Sequence, residues 1–358
     1  MIGKYPQLLK ALLSNCVSNI SGKELTYIID GRSWVIKEIG KSITKSLSQR
    51  NQLAARISYD SIGIRNQIIH FGSVGHFFIR GGEGGWHKPH SSNQFILTWF
   101  HVAPGDPRLA YMKIAQEDLV AIHTSCNSTK KTLIESGVNP LKVHVIPLGI
   151  DLSKFHAASD EEKGSIQRSL EIPENRFVIG SFQKDGEGWG DGLEPKLVKG
   201  PDVFVDTVIQ VKDLRPFVLL TGPSRGYVKK RLSENGIDFK HIYIDNFSEI
   251  PRMYNALDLY IIASRVEGGP MAILESWASG VPVVSTKVGM VPDIAVDRET
   301  ALLCNVEDVV SLVSNVKKIS KDKVLRTQMV KKSLEQVQEY SWDKISDRHF
   351  IELYKPLV

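Results

Sequence analysis

Cysteine is scarce in this chain, with three in 358 residues. Cys16, Cys126 and Cys304 lie far apart and are odd in number, so they form neither a disulfide framework nor a Cys-x-x-Cys metal site, which fits a reducing compartment. Long apolar runs are missing too, and nothing approaches the roughly 18 consecutive apolar residues of a membrane-spanning helix. A short amphipathic stretch, Tyr5 to Val17, lacks the apolar core and small-residue cleavage site of a secretion signal. A cytoplasmic location is therefore expected. No internal repeat or low-complexity segment appears. What remains is the composition of a globular protein, 42% hydrophobic and 24% charged, with length enough for two domains.

The net charge of +5 hides an asymmetry. Residues 1–150 carry 17 Lys/Arg against 9 Asp/Glu, while residues 151–358 carry 28 against 31. The basic charges are dispersed, with no basic helix or aromatic–basic module of a known nucleic-acid-binding type, so no nucleic-acid partner is expected. An anionic membrane surface or a phosphorylated acceptor suits the pattern better, placing the chain peripherally at the inner membrane face; a merely soluble surface is the alternative.

Short β-branched and apolar runs alternate with helical patterns throughout. Strands are predicted at 25–29, 68–71, 95–100, 119–123 and 143–147, and again at 177–182, 217–221, 241–244, 259–263 and 283–285. Helices are predicted at 33–47, 107–115 and 128–136, then near 201–211, 226–235, 249–256 and 271–279. This rhythm is α/β and implies two doubly wound sheets, with ligands at the carboxyl ends of the strands. Pro147-Leu148-Gly149 followed by Asp151 marks an interdomain crossing. The expected division is 1–155, 156–340 and a terminal helix in 341–358.

The most informative stretch is Ser264-Arg265-Val266-Glu267-Gly268-Gly269-Pro270-Met271-Ala272-Ile273-Leu274-Glu275. It follows a buried-type strand and opens a helix. Gly268 and Gly269 allow close backbone approach to a ligand, and Pro270 suits a first helical turn. Unpaired amides and the positive end of the helix dipole then offer a place for hydroxyls or phosphate. Glu267 stands before the helix and Glu275 just over two turns on, so each carboxylate can accept from a hydroxyl pair. A glycine-containing strand–helix turn with no ligand has the same spacing, and the residues alone leave that reading open.

Glu267 and Glu275 resemble the Glu-x7-Glu signature of the retaining glycosyltransferases called family four. Ala278-Ser279-Gly280-Val281-Pro282-Val283-Val284-Ser285-Thr286 and Ala256-Leu257-Asp258-Leu259-Tyr260 are similar to that family, as are Val145 to Asp151 and Ser341-Trp342. The likeness is strong from about Leu119 onward and weak before Phe95. It implies the GT-B fold, two Rossmann-like domains facing each other across a cleft, with an acceptor-side first domain and a donor-binding second. It implies transfer of a hexose from a UDP-, GDP- or ADP-linked nucleotide diphosphate sugar to a hydroxyl acceptor, with a lipid-linked or anionic acceptor among the candidates. By the same resemblance Glu275 holds the donor ribose, while Glu267 and the amides of Gly268, Gly269 and Met271 around Pro270 bind the hexose. Lys199, before Gly200, meets the diphosphate. The family's arginine after the first strand of the second domain is missing from Ser181-Phe182-Gln183-Lys184, and Lys184 stands in for it, without the bidentate fork.

His101, after the strand 95–100, resembles a family histidine near the sugar and acceptor; a solvent-exposed loop histidine is the alternative. Gly31 and Arg32, after the first strand, match the family's glycine turn in part, and Arg32 can meet phosphate or acceptor. No protein nucleophile and no cofactor are expected, and no Asp-x-Asp triplet is present to bridge a metal and a diphosphate. Gly40-Lys41-Ser42 ends like a phosphate-binding loop, but Val35 occupies the position of the required glycine. His87 and His90, with Gly81 to Gly85, read as an acceptor-side or mobile loop rather than a zinc site. Trp86 and Trp99 could stack on sugar rings or pack in the core. Two rivals share the donor site: a nucleotide-sugar epimerase, and a non-catalytic nucleotide-sugar-binding protein prompted by the missing arginine and by Met290.

Overall fold

The computed structural model describes residues 12, 15, 24–29, 34–103, 105–244 and 246–358. The chain divides into two compact units, 1–149 with 342–358, and 150–341. The division falls at 149/150 rather than 155/156. Ile150 pairs with Ser341 through a bridge and donates its amide to Tyr340, and Phe155 packs on Tyr254, so 150–155 joins the second unit.

The first unit carries β1 (Leu25–Ile28), β2 (Ala55–Ser58), β3 (Ile68–Phe71), β4 (Gln94–Thr98), β5 (Ala121–Thr124) and β6 (Val143–Val145), in the order β2-β1-β3-β4-β5-β6. All its pairings are parallel. Helices α1 (Trp34–Gln49), α2 (Arg108–Ala115) and α3 (Asn127–Glu135) cross between strands. Ile39, Ile43 and Leu47 recur at helical spacing on α1 and are buried. Gly40-Lys41-Ser42 lies inside that helix, so it is no phosphate loop.

The second unit carries α4 (Asp160–Ser169), β7 (Phe177–Phe182), α5 (Pro201–Gln210), β8 (Pro216–Thr221), α6 (Gly226–Glu234), β9 (Asp238–Ile242) and β10 (Leu259–Ile262). It continues with α7 (Met271–Ala278), β11 (Val283–Thr286), β12 (Leu302–Cys304), α8 (Val309–Lys321) and α9 (Lys323–Gln336). Its sheet order is β12-β11-β10-β7-β8-β9, again all parallel. Strand order reverses between β7 and β10, which opens a crevice beyond their carboxyl ends. The inner strands are covered on both faces, and β8 and β10 are buried at every residue, whereas the edge strand β9 is polar and partly exposed.

The last helix, α10 (Trp342–His349), returns to the first unit. Trp342 lies against Gly149, where a β-carbon would come within 2.6 Å of its ring. Ser46 donates to Asp343 at 2.8 Å, and Arg50 and Gln52 both reach Asp347.

A polar chain runs through the apolar core beneath this helix. Tyr354 Oη and His70 Nδ1 share a 2.7 Å hydrogen bond, His70 Nε2 and Thr98 another of 2.7 Å, and Thr98 and His123 Nδ1 one of 2.9 Å; His123 Nε2 donates to the Ile146 carbonyl at 2.9 Å. Working back from that carbonyl, which can only accept, assigns every proton with both imidazoles neutral. His349 donates Nδ1 to the Ile345 carbonyl at 2.9 Å, and its Nε2 is buried without a partner.

Tertiary packing also decides the aromatic and glycine-rich features of this unit. Trp99 is buried, its indole donating to the His101 carbonyl, and Trp86 stacks on Phe77 while donating to Asp118. Trp99 thus packs in the core, and Trp86 is half-buried against Phe77. The 81–85 stretch is a hydrogen-bonded turn: Ile79 donates to Gly85, Gly84 to Ile79, and Phe78 bridges Trp86. His90 bonds Ser92.

Candidate donor site

The crevice between β7 and β10 is where the second unit gathers its candidate site residues. From β10 the chain runs through Ser264, buried, into Glu267 and the two glycines. The amides of Arg265 and Val266 both donate to the Val198 carbonyl, at 2.9 and 3.1 Å. The Arg265 guanidinium forks onto Asp202 at 2.8 and 2.7 Å, fixing the loop to the first turn of α5. On the far side, Met290 donates its amide to the Gly268 carbonyl at 2.8 Å. Gly289 is left-handed there (φ 54°), and a β-carbon would lie 2.5 Å from the same carbonyl, so a side chain would push the loop away.

From β7 the chain makes a hairpin over 185–196, then a 3-10 turn at Leu197–Lys199 that leads into Gly200-Pro201. Gly200 has φ 62°, and a β-carbon on it would stand 1.9 Å from the Ala263 carbonyl. Only glycine allows this approach, and it brings Lys199 beside the β10 loop. Lys199 Nζ lies 2.6 Å from Glu267 Oε1, which also accepts from Ser264 Oγ at 3.0 Å. The Glu267 side chain is 7% exposed. Two residues 68 positions apart in sequence thus form one ammonium–carboxylate pair at the mouth of the crevice.

Glu275 lies deeper, on α7, buried among aromatic rings. Pro270 is the N-cap of this helix (φ −66°, ψ 102°), one position earlier than the first-turn placement expected. Tyr254 donates its hydroxyl to Glu275 Oε2 at 2.7 Å. The Tyr254 ring packs on Phe182 (4.8 Å between centroids) and Tyr260 (5.3 Å). Burial pushes the Glu275 carboxyl up to about 7, against the Tyr254 hydrogen bond, which pulls it down.

Other expected residues fall differently. Lys184 sets its ammonium 4.1 Å over the ring of exposed Trp189, and no described contact takes it to the Lys199–Glu267 pair. Its neighbour Gln183 is the residue that reaches Lys199, donating to its carbonyl at 3.2 Å. His101 belongs to the first unit and is exposed. Gly31 and Arg32 lie outside the described residues.

Sequence reasoning missed Arg225, at the carboxyl end of β8. It is 1% exposed and donates to the Ser181 carbonyl (2.6 Å), Ser181 Oγ (3.0 Å) and the Thr221 carbonyl (2.7 Å). Its Nε is 2.9 Å from Asp185 Oδ1, an ion pair in distance whose angle falls short of a hydrogen bond. Burial raises the Asp185 carboxyl and the guanidinium opposes it. This arginine ties β7 to β8 and anchors the hairpin. Nothing in a single Ser-Arg-Gly triplet announced it.

Strand order, crevice and paired charges define the class, a doubly wound α/β chain of the GT-B fold. Residues 194–336 match the family described as glycosyl transferases group 1, and the chain resembles that family. It is 29% identical over 180 residues to the lipopolysaccharide core biosynthesis mannosyltransferase LpsB of Rhizobium meliloti, covering 47% of this chain and 48% of that protein. It is 26% identical over 216 residues to an Escherichia coli UDP-Gal:alpha-D-GlcNAc-diphosphoundecaprenol alpha-1,3-galactosyltransferase, covering 58% of this chain and 52% of the relative. The chain thus matches about half the length of these relatives. Among solved structures, Anabaena Alr3699/HepE, in complex with UDP and glucose, superposes with a TM-score of 0.72 at 15% identity, over 94% of this chain and 100% of that one. At that identity the likeness shows the fold.

Proposed function

We propose that this chain is a retaining glycosyltransferase that moves a hexose from a nucleotide diphosphate sugar to a hydroxyl acceptor. The observation that carries the reading is the meeting of Lys199 and Glu267 at the mouth of the β7/β10 crevice, with the buried Glu275 carboxyl in the same unit. Glu275 accepts from the donor ribose, Glu267 and the amides from Gly268 to Met271 hold the hexose, and Lys199 meets the diphosphate. Glu267 keeps the ammonium in place until the donor arrives. Charge that builds on the departing diphosphate is then met by a preset cation, commonly the largest catalytic term. In line with the resemblance to the retaining family, the leaving phosphate takes the acceptor's proton and the acceptor oxygen attacks from the face the phosphate leaves, which retains configuration without a protein nucleophile. Lys184 and His101 are secondary candidates, for phosphate and acceptor respectively.

The names of the relatives support a saccharide or lipid-linked acceptor, and the basic first 150 residues support contact with an anionic membrane. Among the described residues no helix is long and apolar enough to cross a membrane, so that contact is peripheral in this reading.

The test is a transfer assay with UDP-, GDP- and ADP-hexoses over an acceptor panel, followed by NMR of the new anomeric centre. Product with the donor's configuration is expected. An inverted product refutes retention, an epimerised donor without acceptor refutes transfer, and binding with neither transfer nor donor hydrolysis favours a non-catalytic binder.

A further inference from the structure

We propose that Tyr254 is a positioning residue that presents the Glu275 carboxyl to the donor ribose, and that donor binding releases a proton from that carboxyl. The inference rests on the donor-site reading above and adds to it a residue and a linked proton.

Tyr254 is fully buried on the short helix Ile250–Tyr254, and its ring is clamped by Phe182, Tyr260 and Phe155. The ring cannot turn without displacing them, so the hydroxyl has one direction, toward Glu275 Oε2. One carboxyl oxygen is thereby held by the protein, and among the described contacts no other hydrogen bond reaches this carboxyl. Oε1 remains for a ligand.

The charged and titratable groups around Glu275 are few. Tyr254 comes from the short helix and Tyr260 from β10, whose hydroxyl is held by the Phe182 amide at 2.8 Å. The Arg225 charge acts on Tyr260 and is already matched by Asp185. Burial, unrelieved by a direct cation, keeps the carboxyl up at about 7. A ribose diol donating to Oε1 favours the ionised form, so binding at neutral pH expels a proton to solvent. Removing the phenol hydroxyl takes away a donor to that same ionised form, making it harder to reach.

The experiment is calorimetric titration of the full chain with UDP-glucose, GDP-mannose and ADP-glucose between about pH 5.5 and 8.5, in two buffers of different ionisation heat. Both ends of these diphosphates are esterified, so the ligands do not titrate near neutrality. We expect the bound sugar nucleotide to release about half a proton at pH 7, and its affinity to fall about tenfold from its plateau by pH 6. Tyr254→Phe should move the curve to higher pH and leave the alkaline plateau in place, and Glu275→Gln should abolish proton release. Binding that is independent of pH, or unchanged proton release in Glu275→Gln, overturns the proton linkage and leaves the site reading standing. Equal weakening of Tyr254→Phe at every pH shows a merely structural tyrosine. Failure of all three sugar nucleotides to bind overturns the donor-site reading, and this inference with it.

Discussion

Acid should loosen the first unit while it tightens the second. His70, His123 and His349 are fully buried and neutral, with burial holding each below the ordinary histidine value of 6.5, and His349 at about 4. In the unfolded chain they take up protons near 6.5, so as pH falls below that value the unfolded state gains protons that the folded state refuses. Stability present above pH 6.5 is then lost, at about 1.4 kcal/mol per group and pH unit. At pH 5 this is about 2 kcal/mol for His349, with His70 and His123 acting in the same direction, against a domain's usual 5–15 kcal/mol. The hydrogen-bond chain gives the structural reason. A proton on His123 Nδ1 turns that nitrogen from an acceptor of the Thr98 hydroxyl into a donor, and one on His70 Nδ1 does the same toward Tyr354, so each hydroxyl must turn away its own proton beside a charge buried in the core. Glu275 has the opposite sign, because its folded value of about 7 exceeds the ordinary 4.5. Its ionised form is disfavoured in the fold above pH 7, and that penalty is relieved as pH falls. Hydrogen exchange, corrected for intrinsic rates and read in peptides of β3 and β5 against those of β7 and β10, separates the units. Between about pH 7.5 and 5 we expect protection to fall in the first pair and hold or rise in the second. His349→Leu, which removes an imidazole with an orphaned nitrogen, should reduce the loss at pH 5 by about 2 kcal/mol. Equal protection of β3 and β5 at both pH values would refute the reasoning.

Three substitutions probe the donor unit. Arg225→Met strands the buried Asp185 carboxyl and should lower stability by about 3–5 kcal/mol in urea unfolding, with Asp185→Asn added on top restoring part of the loss; a single variant within about 1 kcal/mol of wild type would show the pair to be incidental. Gly200→Ala puts a β-carbon on the Ala263 carbonyl and forces a strained left-handed alanine, so a loss above about 2 kcal/mol is expected in the same assay, whereas Lys199 cannot keep its place if the loop shifts. Lys199→Ala should lower kcat about a hundredfold with little change in KM, as removal of a preset charge does, and a change confined to KM would reassign Lys199 to ground-state binding.

How much of this was legible in advance varies with what each feature depends on. The strands buried on both faces stood out as apolar runs, so the βαβ rhythm and the two sheets were readable. β2 was not, because Ala55-Arg56-Ile57-Ser58 is a half-buried edge strand with little apolar pattern. Helix α4 has no buried residue and so no apolar pattern to read; its Ser159–Glu162 capping box was the available signal. In the site, the Glu267-to-Glu275 spacing is local and could be read, and Lys199-Gly200 announced itself by the glycine. Tyr254 could not be linked to Glu275, because their meeting depends on how a short helix packs on α7. Arg225 and the engagement of Lys184 by Trp189 are tertiary in the same way. Lys184 was placed by its position in the chain, whereas the hairpin that follows β7 decides where its ammonium goes.

The central claim is that the β7/β10 crevice binds a nucleotide diphosphate sugar through Glu275. Calorimetric titration of wild type and Glu275→Ala with UDP-glucose, GDP-mannose and ADP-glucose at pH about 8, where the carboxyl is ionised, tests it most directly. The account predicts that at least one of these binds wild type and that the variant binds it at least about tenfold more weakly, since a lost hydrogen bond to a charged partner costs about 1.5–3 kcal/mol. No binding by any of the three, or equal affinity in the two proteins, would contradict it.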